Sequence, residues 1–225
     1  MTNKINKKAL VVFSGGLDST VAVYLAKSIY NEVETISFNY GSKHNDIEYK
    51  HALATCNKLN VKNTRINLDF MNKYFKSDLL QSGGDIPEGY YTAENMKSTV
   101  VPFRNGIMLS IAAGFAESQN CDVLVLGNHS GDHAIYPDCR ESFIDGIKKA
   151  IYEGTAKNIE VVSPFCDKSK TDIVKIGKSL DVDFTLTYSC YKGKEKHCGK
   201  CGTCTERIEA FRDAGVEDLT EYEEV

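Results

Sequence analysis

Two groups of residues in this chain have types and spacings suited to chemistry. The first is Ser14-Gly15-Gly16-Leu17-Asp18-Ser19, which follows the apolar run Ala9 to Phe13 and precedes Thr20 to Ile29, where Val21, Leu25 and Ile29 recur at helical spacing. Two adjacent glycines let a backbone turn tightly with its N–H groups exposed. A helix N-terminus directly behind them adds partial positive charge, and together they make a cradle for an anion. The hydroxyls of Ser14, Ser19 and Thr20 supplement those donors, and phosphate is the expected guest. The loop lacks the Gly-Lys-Ser/Thr ending of the Walker P-loop and the glycine spacing of the dinucleotide fingerprint. Ser-Gly-Gly by itself is only a turn; its place between a strand and a helix gives it weight.

The second group is Cys190, Cys198, Cys201 and Cys204, crowded together while Cys56, Cys121, Cys139 and Cys166 are scattered. In a reducing compartment such crowding argues for metal binding over a disulfide framework. Glycines after Cys198 and Cys201 suit the turns that aim successive sulfurs at one centre. Four thiolates close a tetrahedral zinc site and leave no coordination position for catalysis, so the expected zinc is structural. Two other readings stay open. The CxxCxxC run resembles part of a ferredoxin motif, although the following CP element is missing and the fourth cysteine lies upstream; alternatively, one of the cysteines could carry sulfur. His197 reads as a neighbour of Cys198. His129 and His133, four apart, raise the idea of a second metal. Gly131 and its polar surroundings point instead to a loop with satisfied histidines and no third ligand.

The elements that must position these groups alternate. Short β-branched or apolar runs at Ala9 to Phe13, Thr35 to Phe38, Thr64 to Leu68, Val123 to Leu126 and Glu160 to Val162 are separated by helix-like stretches, among them Gly106 to Ala116 and the face Phe143, Ile144, Ile147 and Ile151. Ser169-Lys170-Thr171-Asp172 has the form of a capping box ahead of Ile173, Ile176 and Leu180, and a last helix is expected near Thr203 to Ala214. Such alternation implies a parallel, doubly wound α/β sheet whose ligands sit beyond the carboxyl ends of the strands. Lys76 to Thr99, with Gly83-Gly84, Pro87 and Gly89, reads as a long loop that either closes over a ligand or is a surface insertion.

A chain of 225 residues, 42% hydrophobic and 26% charged, is long enough for a sizeable core. Its formal net charge of -4 does not indicate a broad basic surface for nucleic acid. Lys4, Lys7 and Lys8 precede an apolar run that stops at Ser14, too short for a secretory signal, and no stretch approaches membrane-spanning length. A cytoplasmic protein is expected.

Ser14 to Ser19 resembles the SGGxDS pyrophosphate loop of the N-type ATP pyrophosphatases, which include GMP, NAD and asparagine synthetases and several tRNA-modifying enzymes. Tyr40-Gly41-Ser42-Lys43-His44, Val101-Pro102-Phe103-Arg104-Asn105, Tyr136-Pro137-Asp138-Cys139-Arg140, Ser169 to Ile173 and Thr187 to Tyr191, taken in order with the cysteines, are similar to the 7-cyano-7-deazaguanine synthase family from Phe13 to about Gly215. The resemblance implies a Rossmann-like sheet of the adenine nucleotide alpha hydrolase type over residues 1–186 and a zinc-binding helical subdomain over 187–225. It implies a ligase of queuosine biosynthesis that turns 7-carboxy-7-deazaguanine and ammonia into the nitrile. ATP would be consumed with Mg2+, the carboxylate and then the amide being adenylated. A homodimer is implied, and the tRNA itself need not bind. Carried over by position, Phe13, Ser14, Gly15, Gly16, Leu17, Asp18, Ser19, Thr20, Val21, Ala22 and Val23 hold ATP, with Tyr40 and His44 nearby. Asp18 helps place magnesium, and Ser14, Arg104 and Lys170 serve the reaction. Asp138 and Arg140 face the deazaguanine as a hypothesis. Competing readings are a tRNA-thiolating or amidating relative and, from another class, a non-catalytic zinc ribbon that binds RNA.

Overall fold

The computed structural model describes residues 4–90, 93–129 and 135–223. Five parallel strands, β1 (Ile5–Val12), β2 (Tyr30–Asn39), β3 (Lys62–Asn67), β4 (Val123–Val125) and β5 (Glu160–Val162), form one sheet in the order β3-β2-β1-β4-β5. The lysines that open the chain therefore lead into the central strand. Alternate side chains of each strand feed opposite faces, as the period of two requires. Ala9, Val11, Val123 and Val125 pack with helices α1 (Leu17–Ile29), α2 (Asn45–Leu59), α7 (Lys170–Ser179) and α8 (Gly202–Ala214). Leu10, Ile36, Phe38, Leu124 and Leu126 pack on the other side with Met71 of α3 (Asp69–Tyr74) and with α5 (Arg104–Ser118) and α6 (Glu141–Gly154).

The expected strands and helices all form, with longer bounds in several cases. Ser169 and Asp172 make the expected capping box: Asp172 N–H donates to the Ser169 hydroxyl at 3.2 Å and Ser169 N–H to the Asp172 carboxylate at 3.0 Å. The sheet grows from β1 toward β2 on one side and toward β4 on the other. The carboxyl ends of β1 and β4 therefore flank the point where strand order reverses, the place where open α/β sheets bind ligands.

The stretch 76–99 is not a plain loop. It carries α4 (Ala93–Met96) and a 3₁₀ turn, Lys97–Thr99, and buries Leu79, Leu80 and Met96 fully. The Lys43 ammonium gathers it by donating to the carbonyls of Asp78 and Leu80, each at 2.6 Å, and of Gly84 at 2.8 Å. No helix among the described residues is long and apolar enough to cross a membrane.

Candidate active site

Beyond the carboxyl ends of β1 and β4 lies a cavity that, with its mouth, takes in about 1310 Å³ and is lined on one wall by Phe13, Ser14 and Gly16 to Ser19. The turn after β1 is held on both sides: Phe13 N–H donates to Ile36 O at 2.8 Å, and Tyr188 N–H donates to Gly15 O at 3.0 Å. Gly16 is the N-cap of α1 and offers no side chain, so the first-turn N–H groups of the helix remain available to an anion. The Ser14 hydroxyl accepts from Gly16 N–H at 3.1 Å and lies 3.1 Å from that of Ser19, both beside the opening. Gly15 has φ +101°, and a Cβ there would sit 2.1 Å from the Glu48 carbonyl oxygen, so α2 closes against the turn. Gly15→Ala is expected to cost about 1–3 kcal/mol from strain of this kind. A lowered melting temperature with weakened ATP binding checks it.

Cations and carboxylates converge on this wall. Lys170, the first residue of α7, donates to Asp18 Oδ2 at 2.6 Å, and His129 Nε2 lies 3.8 Å from the same oxygen. Burial alone would raise the Asp18 carboxyl, but Lys170 and His129 outweigh it and hold it below the usual range. The other carboxylate oxygen, Oδ1, is buried with no hydrogen-bond partner among the described residues, an arrangement that a metal ion beside the cradle would satisfy. Deeper in, Arg104 reaches the Tyr40 hydroxyl at 3.3 Å and has no carboxylate within 4.0 Å among the described residues. A half-buried guanidinium in that position is suited to receive an anion. His44, buried and stacked on Tyr191 at 5.1 Å, is pushed down to about 3 by burial and by Arg104, and so is neutral. Its Nε2 is 3.6 Å from the carboxyl of Glu48, which burial pushes up to about 8 against the opposing pull of Arg104.

The sulfurs of Cys190, Cys198, Cys201 and Cys204 all lie within 4.8 Å of one another, and all four residues are buried. Cys201 to Cys204 is 3.4 Å, Cys198 to Cys204 3.9 Å and Cys190 to Cys201 4.0 Å, too long for disulfides and close to the separation of about 3.8 Å that four bonds of 2.3 Å around one ion impose. Backbone N–H groups of Cys198 and Lys192 point at the Cys190 sulfur, and that of Cys201 at Cys198, as thiolates require. Gly199, at φ +68°, makes the turn between ligands. The cluster could bind a metal ion. It also orders the cavity: α8 starts at Gly202, directly after Cys201, and sends Thr203, Glu206 and Arg207 into the lining.

The profile of the family described as "Queuosine biosynthesis protein QueC" matches residues 8–215. The chain belongs to the QueC family. Its relatives include the 7-cyano-7-deazaguanine synthase of Porphyromonas gingivalis (strain ATCC BAA-308 / W83), 54% identical over 96% of this chain and 98% of that protein. The protein of the same name from Caldicellulosiruptor saccharolyticus is 49% identical over 96% of each chain. Among solved structures, NMN synthetase from Francisella tularensis aligns with a TM-score of 0.48 and 15% identity over 95% of this chain and 79% of that one, too slight a likeness to bear on function.

In this QueC-family chain the structure gathers Phe13, Ser14, Gly16, Leu17, Asp18, Ser19, Tyr40, His44, Arg104 and Lys170 around one cavity. Other expected residues lie elsewhere. Thr20 turns its hydroxyl back to Gly16 O at 2.8 Å, and Val21, Ala22 and Val23 are wholly buried in the core because α1 presents that face to the sheet. Gly15 is sealed behind Glu48. Asp138 does not line the cavity; its carboxylate takes the Asn105 N–H at 2.7 Å at the start of α5. Arg140 is exposed at the N-cap of α6, because the 3₁₀ turn Pro137–Cys139 carries it to the outside. His133 lies outside the described residues, and His129 faces Asp18. Sequence reasoning missed Glu48 and Arg207. Glu48 follows His44 by four and would have been visible once α2 was recognised as a helix, whereas nothing local marks Arg207.

Proposed function

We propose that this chain is a 7-cyano-7-deazaguanine synthase, an ATP-dependent ligase that converts 7-carboxy-7-deazaguanine and ammonia to the nitrile in queuosine biosynthesis. The observation that carries the reading is the cavity itself. An exposed anion cradle at Ser14 to Ser19 and a half-buried Arg104, with no carboxylate within 4.0 Å among the described residues, line a single space, in a chain that relatives of that name match over 96% of its length. The first-turn N–H groups of α1 and the hydroxyls of Ser14 and Ser19 take the β- and γ-phosphates, and Lys170 adds its charge there. Arg104 turns the substrate's carboxylate toward the α-phosphate. The carboxylate oxygen displaces pyrophosphate, ammonia displaces AMP to give the amide, the amide oxygen attacks a second ATP in the same place, and loss of the second AMP leaves the carbon–nitrogen triple bond. One cradle serves both rounds.

Asp18 would hold a magnesium ion at its unpartnered Oδ1, and that ion would supply neutralising charge for the leaving pyrophosphate. The four cysteines would hold zinc. Each thiolate has close sulfur neighbours, and the set offers no open position, which favours a structural ion over a reactive one. A four-iron cube is wider than a single ion and would need these sulfurs splayed apart. A cytoplasmic homodimer completes the proposal, on the family resemblance.

The test is incubation of the metal-loaded protein with 7-carboxy-7-deazaguanine, ammonium and Mg-ATP, read by mass spectrometry. The nitrile, AMP and pyrophosphate are expected, and Asp18→Ala should yield none of them while keeping fold and metal content. A folded, metal-loaded wild type that makes no nitrile overturns the assignment.

A further inference from the structure

The reaction must dispose of protons from nitrogen. Ammonia attacking an acyl adenylate becomes an ammonium centre that has to lose a proton before AMP can leave cleanly. An adenylated amide becomes a nitrile only when its last N–H bond gives its electrons to the third carbon–nitrogen bond. Both events occur at one carbon, inside a cavity from which water is partly excluded, so a side chain must accept the proton there.

The cavity offers few acceptors. Asp18 is engaged by Lys170 at 2.6 Å and faces His129, and Glu206 is paired with the same ammonium at 3.5 Å. His44 is a neutral ring whose proton affinity is pushed down to about 3, too weak to take a proton near neutrality. Tyr40 and Tyr188 are held protonated by burial. Glu48 differs on every count. Its side chain is 14% exposed and lines the cavity. One carboxyl oxygen, Oε1, lies 3.5 Å from where a Cβ on Gly16 would be, at the anion cradle, while Oε2 is 3.6 Å from His44. Arg104 lines the same cavity, and its charge acts on the carboxyl. The carboxyl thus adjoins the turn that holds the phosphates and shares the cavity with the group that receives the substrate's acid, where the adenylated carbon must lie. Among the described residues no protein donor comes within hydrogen-bond distance of either oxygen, so the group is not consumed by a structural role. Burial pushes it up to about 8, which matches its affinity for a proton to the pH of the reaction.

We propose that Glu48 is the catalytic base that accepts the nitrogen's proton in both halves of the reaction. In the first, ammonia's lone pair forms the C–N bond, a proton passes from that nitrogen to a Glu48 oxygen, and the C–O bond to phosphate breaks with its electron pair leaving on AMP. In the second, the amide nitrogen sheds one of its two protons to solvent as the adenylated imidate forms; its last N–H proton then passes to Glu48, the N–H pair becomes the third C–N bond, and AMP again leaves with the C–O pair. The proton returns to solvent when AMP departs. The inference rests on the synthase reading above.

The experiment separates partial reactions. Glu48→Gln keeps shape and removes the base. With 7-carboxy-7-deazaguanine and Mg-ATP it should still release pyrophosphate, yet form amide and nitrile at least about 100-fold more slowly, the usual worth of a positioned base. Supplied with the amide, the wild type should show a nitrile rate that rises with pH to a plateau above about 8, because the carboxylate is the active form. By pH 6 the rate should be about 100-fold below that plateau. The variant should lack this ionisation. The charged and titratable groups facing Glu48 are His44 on its own helix, Tyr40 after β2, Arg104 on α5 and Tyr188 after the 3₁₀ turn Phe184–Leu186. None of them shares its affinity. If Glu48→Gln does not fold by circular dichroism, Glu48→Asp withdraws the carboxyl by one methylene and must show the same split. Pyrophosphate release lost together with the later steps, or an unchanged pH profile, overturns the proposal. A wild type inactive at every step would instead sink the synthase reading.

Discussion

Stripping the metal from the cysteine cluster, or replacing Cys201 by Ser, is expected to lower the melting temperature by 10 °C or more and to abolish activity, although none of the four clustered cysteines lines the cavity. Structural zinc contributes on the order of 10–16 kcal/mol to the folding of small metal-dependent domains. A chain of this size loses about 2–4 °C per kcal/mol, so even half of that figure suffices. The damage should spread because the cluster is a junction. Glu88 pairs with Cys201 as an isolated bridge, Gly89 N–H donates to Lys200 O at 2.8 Å, and Tyr188 packs on His197 with ring centroids 4.5 Å apart. Arg207, 1% exposed, binds Asp218 at 3.2 Å and donates to Thr187 at 2.8 Å and to Ser189 at 3.1 Å. The contacts of Glu88 and Gly89 tie the cysteine segment to the 76–99 stretch, and those of Tyr188, Ser189 and Arg207 tie it to the cavity wall. Metal analysis should find one ion per chain, lost in step with activity and regained on adding zinc. Complete metal loss with an unchanged melting curve would contradict this role.

Arg104→Met should lower kcat/KM by about 100- to 1,000-fold, the range seen when a donor aimed at developing charge is removed from a dry site. The same change should leave the empty enzyme melting no lower than the wild type. A half-buried guanidinium that among the described residues meets just the Tyr40 hydroxyl, at 3.3 Å, is costly without its anion, and an unbranched apolar chain relieves that cost. Steady-state kinetics on 7-carboxy-7-deazaguanine and thermal melts measure both halves. A variant that lost stability along with activity would make Arg104 a structural residue.

The sheet was legible because buried parallel strands are written as apolar runs, and each expected run lies in or overlaps a strand. Ser14 to Ser19 was legible because phosphate cradles are local, built from consecutive backbone groups that one short string specifies. The cysteine cluster was legible for the same reason in three of its four ligands, with Cys190 brought in from nearby. What escaped depends on contacts between distant segments. Lys43 organises carbonyls some forty positions on, and no local pattern announces that an ammonium will replace solvent for them. Helix α2 buries Asn45, Ala52, Thr55 and Cys56, a face too polar to show helical periodicity, so Glu48 had no place until the helix was seen. Asp138 and Arg140 are two apart in sequence, yet one 3₁₀ turn buries the first and exposes the second.

The central claim is that one cavity adenylates the same carbon substituent twice. Substrate labelled with oxygen-18 in both carboxylate positions tests it directly, with product AMP isolated and weighed by mass spectrometry. The account predicts two AMP per nitrile, each carrying one labelled oxygen, because each round expels one carboxylate oxygen on phosphorus. One AMP per nitrile, or label recovered in water or inorganic phosphate, would contradict it.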